Sequence, residues 1–411
     1  MTPHTDQGTL THSAGAAFDL ARLIHPMALP TFRNEYWERQ PLHIRRNDPR
    51  YFADLLTLDD VDRLLSQSGP DFGNIRVISE GVETHVSALG GASGGGSGIN
   101  QLEDIYRRYR SGATVVLNSL ERRWEPLTRL TSGMSAEANA RFQVNVYLTP
   151  GGQARGFDPH YDTHDVIVLQ GYGTKRWRLY GAPYALPLES QKYDHSSEVP
   201  EVEEEFDLEP GSLLYLPRGT IHAATSHDTA SMHLTIGVHP VRMPSLIGDV
   251  LREVVQEDER FRRGLPIGFA NDGNLQQETQ AVFAALVEAL TARLTPRALT
   301  ERAVSRTISI AQPVLRGHLH DLESLPVLGP STRVRCRPGI RWGLTADQES
   351  IGLEFHDKRV QLPARLADEV KYVTESGEAG FTADSITGRL DESGRLLLVR
   401  TLVREGFLTV G

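Results

Sequence analysis

The sequence predicts an α+β protein: a strand-rich block, then helices, then a small mixed segment. Three observations carry this reading. Between Thr114 and His239, short runs rich in Val, Leu, Ile and Tyr recur with Gly and Pro between them, the pattern of a sandwich or barrel. From Ser245 to about Leu315, apolar residues return at helical spacing. From Leu325 to Gly411, helical and strand-like runs alternate over a short span.

Taken in chain order, residues 1 to about 15 are polar and are expected to be disordered. "FRNEYWERQPLHIRR" (Phe32 to Arg46) starts as a short amphipathic helix and becomes extended after Pro41. "TLDDVDRLLSQS" (Thr57 to Ser68) has a capping threonine, early acids and a helical apolar pattern. "LGGASGGGSGIN" (Leu89 to Asn100) reads as a glycine-rich loop, either a lid or a surface insertion. The strand candidates follow as "ATVVLNSL", "RFQVNVYLTP", "DVIVLQGYG", "KRWRLYG", "SLLYLPRG" and "MHLTIGVHP". In the second of these, alternation places Phe142, Val144, Val146 and Leu148 on one face and Gln143, Asn145 and Tyr147 on the other. Three helices are expected next, the last headed by a proline suited to a first turn. The C-terminal segment reads as a helix, a turn, a second helix and a terminal strand.

The chain has 411 residues, more than one ordinary domain, and a net charge of -10. A global basic footprint for nucleic acid is therefore absent. "RVRCRPGIR" (Arg333 to Arg341) is locally basic and reads as an exposed connector. The single cysteine, Cys336, excludes an internal disulfide and a thiolate cluster and fits a reducing cytoplasm. The N-terminus lacks a basic start followed by an apolar core, so no signal peptide is expected, and no stretch approaches a membrane span.

The chemistry concentrates in "HYDTHDVIVLQGYGTKRW" (His160 to Trp177). His160 and Asp162 share one face of a strand, and His222 follows a later Pro-Arg-Gly turn. An antiparallel barrel can gather such residues into a site of two imidazoles and one carboxylate, which leaves neighbouring coordination positions open. By the same period, His164 shares the face of His160 and Asp162. Zinc tolerates this donor set as iron does, and a His-x-Asp pair also occurs as an exposed hydrogen bond.

"QVNVYLTPGGQARGFDPHYDTHDVIVLQGYGTKRWRLY" (Gln143 to Tyr180) resembles the core motif of the JmjC-type, cupin-fold oxygenases related to the ribosomal oxygenases. "LYLPRGTIHAATS" (Leu214 to Ser226), "SMHLTIGV" (Ser231 to Val238) and "YWERQPLHI" (Tyr36 to Ile44) resemble further segments of that family. The resemblance implies a double-stranded β-helix, or jelly roll, over residues 1–240. It implies a helical dimerisation region over 241–322 and a winged-helix domain over 323–411. It implies Fe(II) ligands His160, Asp162 and His222, with 2-oxoglutarate as cosubstrate and O2 as oxidant. Lys175 is then the partner of the distal carboxylate, and Asn145, Tyr147 and His233 line the same pocket. The implied reaction hydroxylates a protein or peptide side chain, ribosomal-protein His or Arg being favoured, in a cytoplasmic homodimer.

Two other readings remain beside it. One is a hydroxylase that tailors a small molecule, amino acid or peptide natural product. The other is a winged-helix DNA-binding regulator that senses metal or 2-oxoglutarate. The segment "FTADSITGRLDESGRLLLVRTLVREG" mixes acids with arginines, which disfavours DNA. The acids Glu201, Glu203, Glu204, Glu205 and Asp207 suit a basic partner or a solvated loop.

Overall fold

The computed structural model describes residues 19–67, 74–79, 82–85, 98–152, 154, 157–311 and 315–411. The first fifteen residues and most of the glycine-rich stretch lie outside the described residues; Gly98–Arg110 is a helix. The chain divides into two compact units. Ser13–Glu137 and Arg141–His239 form one, and Ala138–Ala140 with Pro240–Gly411 form the other.

The first unit is built on eleven strands: β1 (Leu42–Ile44), β2 (Ile75–Ser79), β3 (Val82–His85), β4 (Thr114–Leu117), β5 (Ala140–Thr149), β6 (Asp165–Tyr172), β7 (Lys175–Leu179), β8 (Glu204–Leu208), β9 (Leu213–Leu216), β10 (His222–Ser226) and β11 (Ser231–Pro240). The large sheet has the order β1-β9-β6-β11-β5-β4-β2-β3, and the small sheet β10-β7-β8. Val166, Val168, Leu214 and Leu216 of the large sheet pack against Trp177, Leu179, Phe206 and Leu208 of the small one. The next residues along β6 and β9 are buried too, because the N-terminal segment covers the opposite face. Phe32 meets Tyr215 edge-on at 5.0 Å, and Trp37 stacks on it at 6.0 Å. A sheet buried on both faces explains why β6 and β9 read as continuous apolar runs while β5 alternates. Phe142, Val144 and Val146 are fully buried, as the alternation requires.

The helix Leu58–Gln67 begins at a reciprocal cap: Asp60 N–H donates to Thr57 Oγ1 at 3.2 Å, and Thr57 N–H donates to Asp60 Oδ2 at 3.0 Å. Four strands of this unit, β2, β3, β8 and β10, were not anticipated. β8 lies inside the acidic run, where Arg176 holds Asp207 at 3.0 Å and Arg178 holds Glu205 at 2.6 Å. Its cross-strand register rests on ion pairs, so its outward face carries no apolar signal. β10 carries His222 at its start.

In the second unit, helices span Met243–Glu257, Gly273–Arg293 and Pro296–Ser309. Arg306 and Asp249 form a two-pronged pair at 2.7 and 2.8 Å between the first and third. Leu246, Val250 and Val254 of the first are buried within the chain, whereas Ile247 and Leu251 are exposed. The remainder holds β12 (Arg333–Cys336), β13 (Trp342–Ala346), β14 (Ser350–Phe355), β15 (Lys358–Pro363), β16 (Phe381–Thr382) and β17 (Leu408–Val410), with helices His318–Ser324, Ala367–Ser376 and Glu392–Arg404. The stretch Arg333–Arg341 corrects its sequence reading. It contains a central strand, and Arg337 is buried against Asp321 at 2.6 Å. Asp321 also accepts from Thr409 Oγ1 and Val410 N–H, so this carboxylate joins a helix to β17. No described helix is long and apolar enough to cross a membrane.

Candidate metal centre

His160 and His222 are brought together by backbone. The two residues form an isolated antiparallel bridge: His160 N–H donates to His222 C=O at 3.2 Å, and His222 N–H donates to His160 C=O at 2.9 Å. The imidazoles rise side by side, with ring centroids 4.8 Å apart. Asp162 C=O accepts from Gly219 N–H at 3.0 Å, which ties the turn before His222 to the segment that carries the carboxylate. Gly219 sits at φ +89, and a Cβ there would lie 2.1 Å from the carbonyl oxygen of Tyr184. Only glycine makes this turn.

Charge clamps the same turn. Arg218 N–H donates to Asp165 Oδ1 at 2.8 Å, and its guanidinium reaches Asp165 at 3.2 Å and Glu38 at 2.5 Å. Glu38 N–H in turn donates to the Tyr215 hydroxyl at 2.8 Å. The N-terminal "YWERQ" segment thus reaches the base of the site through one buried guanidinium.

His160, Asp162 and His222 each offer a donor atom, and these atoms all lie within 4.8 Å of one another. The second ring nitrogen of each histidine is occupied: His160 Nδ1 meets Asp158 C=O at 2.7 Å, and His222 Nδ1 meets Thr220 C=O at 3.0 Å. A carbonyl can only accept, so each Nδ1 carries a proton, which leaves each Nε2 as the nitrogen available to a metal. Burial, then the neighbouring His160, pushes the His222 imidazole down to about 4, which keeps it neutral at neutral pH. Burial pushes the Asp162 carboxyl up, but the imidazoles of His164, His222, His160 and His239 outweigh it and hold it below the usual range. Two imidazoles and a carboxylate on one side of an ion fit a divalent metal with open positions.

His164 does not join this group. Its ring stacks on His239 at 4.8 Å.

The cavity beside the triad has a volume of about 680 Å³, and Asn145, Tyr147, Lys175 and His233 also line it. Lys175 is buried and donates to Thr149 Oγ1 at 3.0 Å, and Thr149 meets Thr114 Oγ1 at 3.1 Å. Among the described residues it forms no ion pair. Burial pushes its ammonium down to about 7. His233 lies parallel to Tyr147 at 4.9 Å, and its buried Nδ1 has no partner among the described residues. Burial, then the charge of Lys175, holds His233 well below its ordinary value. Trp177 packs in the core and also lines the cavity.

Sequence reasoning missed Thr149, Arg76, Glu83 and Asn118. Thr149 continues the polar face of Gln143, Asn145 and Tyr147, so alternation could have found it. Arg76 and Asn118 lie on and beside β2 and β4, and no local motif marks them.

Residues 120–246 match the JmjC domain. The chain is 33% identical over 274 residues to chicken ribosomal oxygenase 1, covering 63% of this chain and 44% of that protein. It is 34% identical over 260 residues to mouse ribosomal oxygenase 2, covering 59% of this chain and 53% of that one.

Over this region the chain is similar to the ribosomal oxygenases.

It is also 31% identical over 257 residues to the bifunctional lysine-specific demethylase and histidyl-hydroxylase NO66 of Drosophila persimilis, covering 60% of this chain and 36% of that protein. The matches thus span about a third to a half of these JmjC relatives. The crystal structure of the Escherichia coli ribosomal oxygenase YcfD superposes with a TM-score of 0.51 at 16% identity, covering 94% of this chain and 98% of that one. At that identity the likeness establishes the cupin-like fold.

An anion that docks on Lys175 must restore its charge. The ammonium is depressed, so it is charged below about 7 and neutral above. Binding of 2-oxoglutarate to the Mn(II)-loaded protein at about pH 8.5 should take up roughly one proton per ligand, and at about pH 6 almost none. Calorimetry in buffers of different ionisation enthalpy measures this uptake. Equal uptake at both pH values would place the anion elsewhere.

Proposed function

We propose that this chain is an Fe(II)- and 2-oxoglutarate-dependent oxygenase that hydroxylates a protein or peptide side chain, with ribosomal-protein His or Arg the favoured target. One observation carries the reading: a two-histidine, one-carboxylate donor set and a buried lysine without an acidic partner among the described residues line the same cavity. His160, Asp162 and His222 would hold the metal, which supplies oxygen activation coupled to oxidative decarboxylation of the cosubstrate. Lys175 and Thr149 receive the distal carboxylate. Asn145, Tyr147 and His233 border it. The apolar wall of Val166, Trp177 and Ala224 limits water beside it. The names of the relatives, ribosomal oxygenase and histidyl-hydroxylase, support the substrate class.

The same proposal extends to the rest of the chain. Residues 241–322 serve as a dimerisation region, residues 323–411 as a winged-helix-like domain, and the protein works as a cytoplasmic homodimer. Support for the dimer comes from apolar side chains left in solvent. Ile247 and Leu251 are exposed on one helix, and Val282, Phe283 and Val287 on the next. A surface hollow on the second helix is lined by Ala284, Val287, Glu288, Thr291 and Ala292. Val250 points into its own chain, so it does not belong to this face.

Protein supplied with Fe(II), ascorbate and 2-oxoglutarate should release succinate slowly without any prime substrate. Asp162→Ala should reduce this to background, because a neutral two-histidine site holds the metal weakly. Full succinate release by that variant would remove the assignment.

Light scattering should give a two-chain mass across micromolar dilution, since a stable interface of this kind buries on the order of 2,000 Å². Val287→Asp combined with Ile247→Asp should yield folded single chains. A wild-type mass of one chain at micromolar concentration would contradict the dimer.

A further inference from the structure

We propose that His164 is a specificity-determining residue that hydrogen-bonds the side chain to be hydroxylated, and that Gly237 makes the room for it. The inference rests on the oxygenase reading above. It begins with strand register. β6 and β11 are antiparallel, with Asp165 opposite Val238 and Val166 opposite Gly237. One step further brings His164 opposite His239, and the two rings stack at 4.8 Å with an interplanar angle of 20°. Residues two apart share a face, so His164 stands on the face of Val166 and His239 on that of Gly237. His164, Val166 and Gly237 all line the cavity.

Glycine inside a strand weakens it, so its place in β11 needs a reason. The register slip of β11 lies at Met232 and His233, well before Gly237, and the glycine pairs regularly. The reason is space. A Cβ at Gly237 would lie 2.9 Å from His164 Cδ2 and 3.0 Å from its Nε2, with His239 Nε2 at 3.6 Å. The His164 ring edge thus fills the place of the missing side chain, and the stack holds its plane. The ring is seated but not engaged. Among the described residues neither of its nitrogens makes a hydrogen bond, whereas His160 and His222 each hold Nδ1 on a backbone carbonyl.

Position separates this imidazole from the cosubstrate. Along β7 and β10, Lys175 pairs with Ser226 and Leu179 with His222. Four residues, roughly 13 Å of strand, therefore lie between the lysine and the metal ligand. His164 is two residues beyond Asp162, so it belongs to the metal end. A 2-oxoglutarate drawn from the metal to Lys175 runs the other way and leaves the His164 wall to the substrate. Whatever its tautomer, an imidazole carries an N–H, and the neutral ring adds an acceptor. The fitting partner is a side chain with a hydrogen-bonding nitrogen beside the carbon to be oxidised, as imidazole and guanidinium have. An aliphatic side chain would leave the seated ring unpaired, and a site with unpaired polar groups discriminates against such a substrate.

The probe is the mixture of ribosomal proteins extracted from washed large and small bacterial ribosomal subunits, incubated with the full-length Fe(II)-loaded protein and 2-oxoglutarate. Mass spectrometry locates the added oxygen, and succinate is measured in the same samples. The wild-type protein should place oxygen on a nitrogen-bearing side chain, in step with the extra succinate. His164→Phe keeps a ring on His239 but no nitrogen. It should lower kcat/KM for the modified protein roughly three- to tenfold and yield fewer oxygen additions per succinate. His164→Gln should recover part of the loss. Gly237→Ala, which pushes the imidazole aside, should uncouple in the same way, and should add nothing once His164 is replaced by Ala. Calorimetry on the Mn(II)-loaded variants should give wild-type 2-oxoglutarate affinity, which a merely disturbed metal site would not. Unchanged coupling in His164→Phe, wild-type oxygen on an aliphatic side chain, or a 2-oxoglutarate affinity that falls as far as kcat/KM would overturn the inference and leave the oxygenase reading standing. A wild-type protein that releases succinate but adds oxygen to no protein would overturn the protein-hydroxylase reading with it.

Discussion

Two backbone hydrogen bonds between His160 and His222 are the constraint on which the site depends. They make the separation of two imidazoles a property of sheet geometry, which side chains alone could not fix. The bridge is short, so the chain reinforces it on either side. Arg218 supplies the reinforcement with a cation shared between Asp165 and Glu38. Removing one partner from such a buried network leaves an uncompensated charge and costs about 3–5 kcal/mol. This is why the N-terminal segment matters to chemistry performed far along the chain. Glu38 and the aromatic cover on Tyr215 close the open face of the sheet and hold the turn that delivers His222.

The cavity divides its charge in two. At one end, a carboxylate and two imidazoles face each other. At the other, a lysine is surrounded by hydroxyls and an imidazole but no described acid. Burial destabilises this lysine in the free protein, and an anionic ligand relieves the cost. His233 must stay neutral for the arrangement to work, because a second cation would oppose Lys175. Its burial and the lysine's own field both keep it so.

Much of the fold could be read from local pattern. β5 alternates because one face meets the core and the other the cavity, and β6 is continuous because both of its faces are covered. The strands that escaped have physical reasons. The outward face of β8 is held by arginine–carboxylate pairs. β10 mixes Ala, Thr and Ser around His222. β13 and β15 carry exposed and partly exposed residues on a small meander. The connector reading of Arg333–Arg341 failed because the partner of Arg337 is Asp321, distant in sequence, and a buried arginine looks like a surface one until that partner is known. The site divides in the same way. His160, Asp162 and His222 were singled out by the family resemblance of the motif around them, since spacing alone left His164 open, and the structure brings the three together. Arg76, Glu83 and Asn118 reach the cavity only through the register of β2, β3 and β4, which no short motif encodes.

The most direct measurement is the anomalous scattering of a crystal grown with Mn(II) and 2-oxoglutarate. The account predicts one metal peak bounded by Nε2 of His160, Nε2 of His222 and the Asp162 carboxylate, with the far carboxylate of the ligand on Lys175 Nζ and Thr149 Oγ1. A metal held instead by His164 and His239, or a ligand that leaves Lys175 uncontacted, would contradict it.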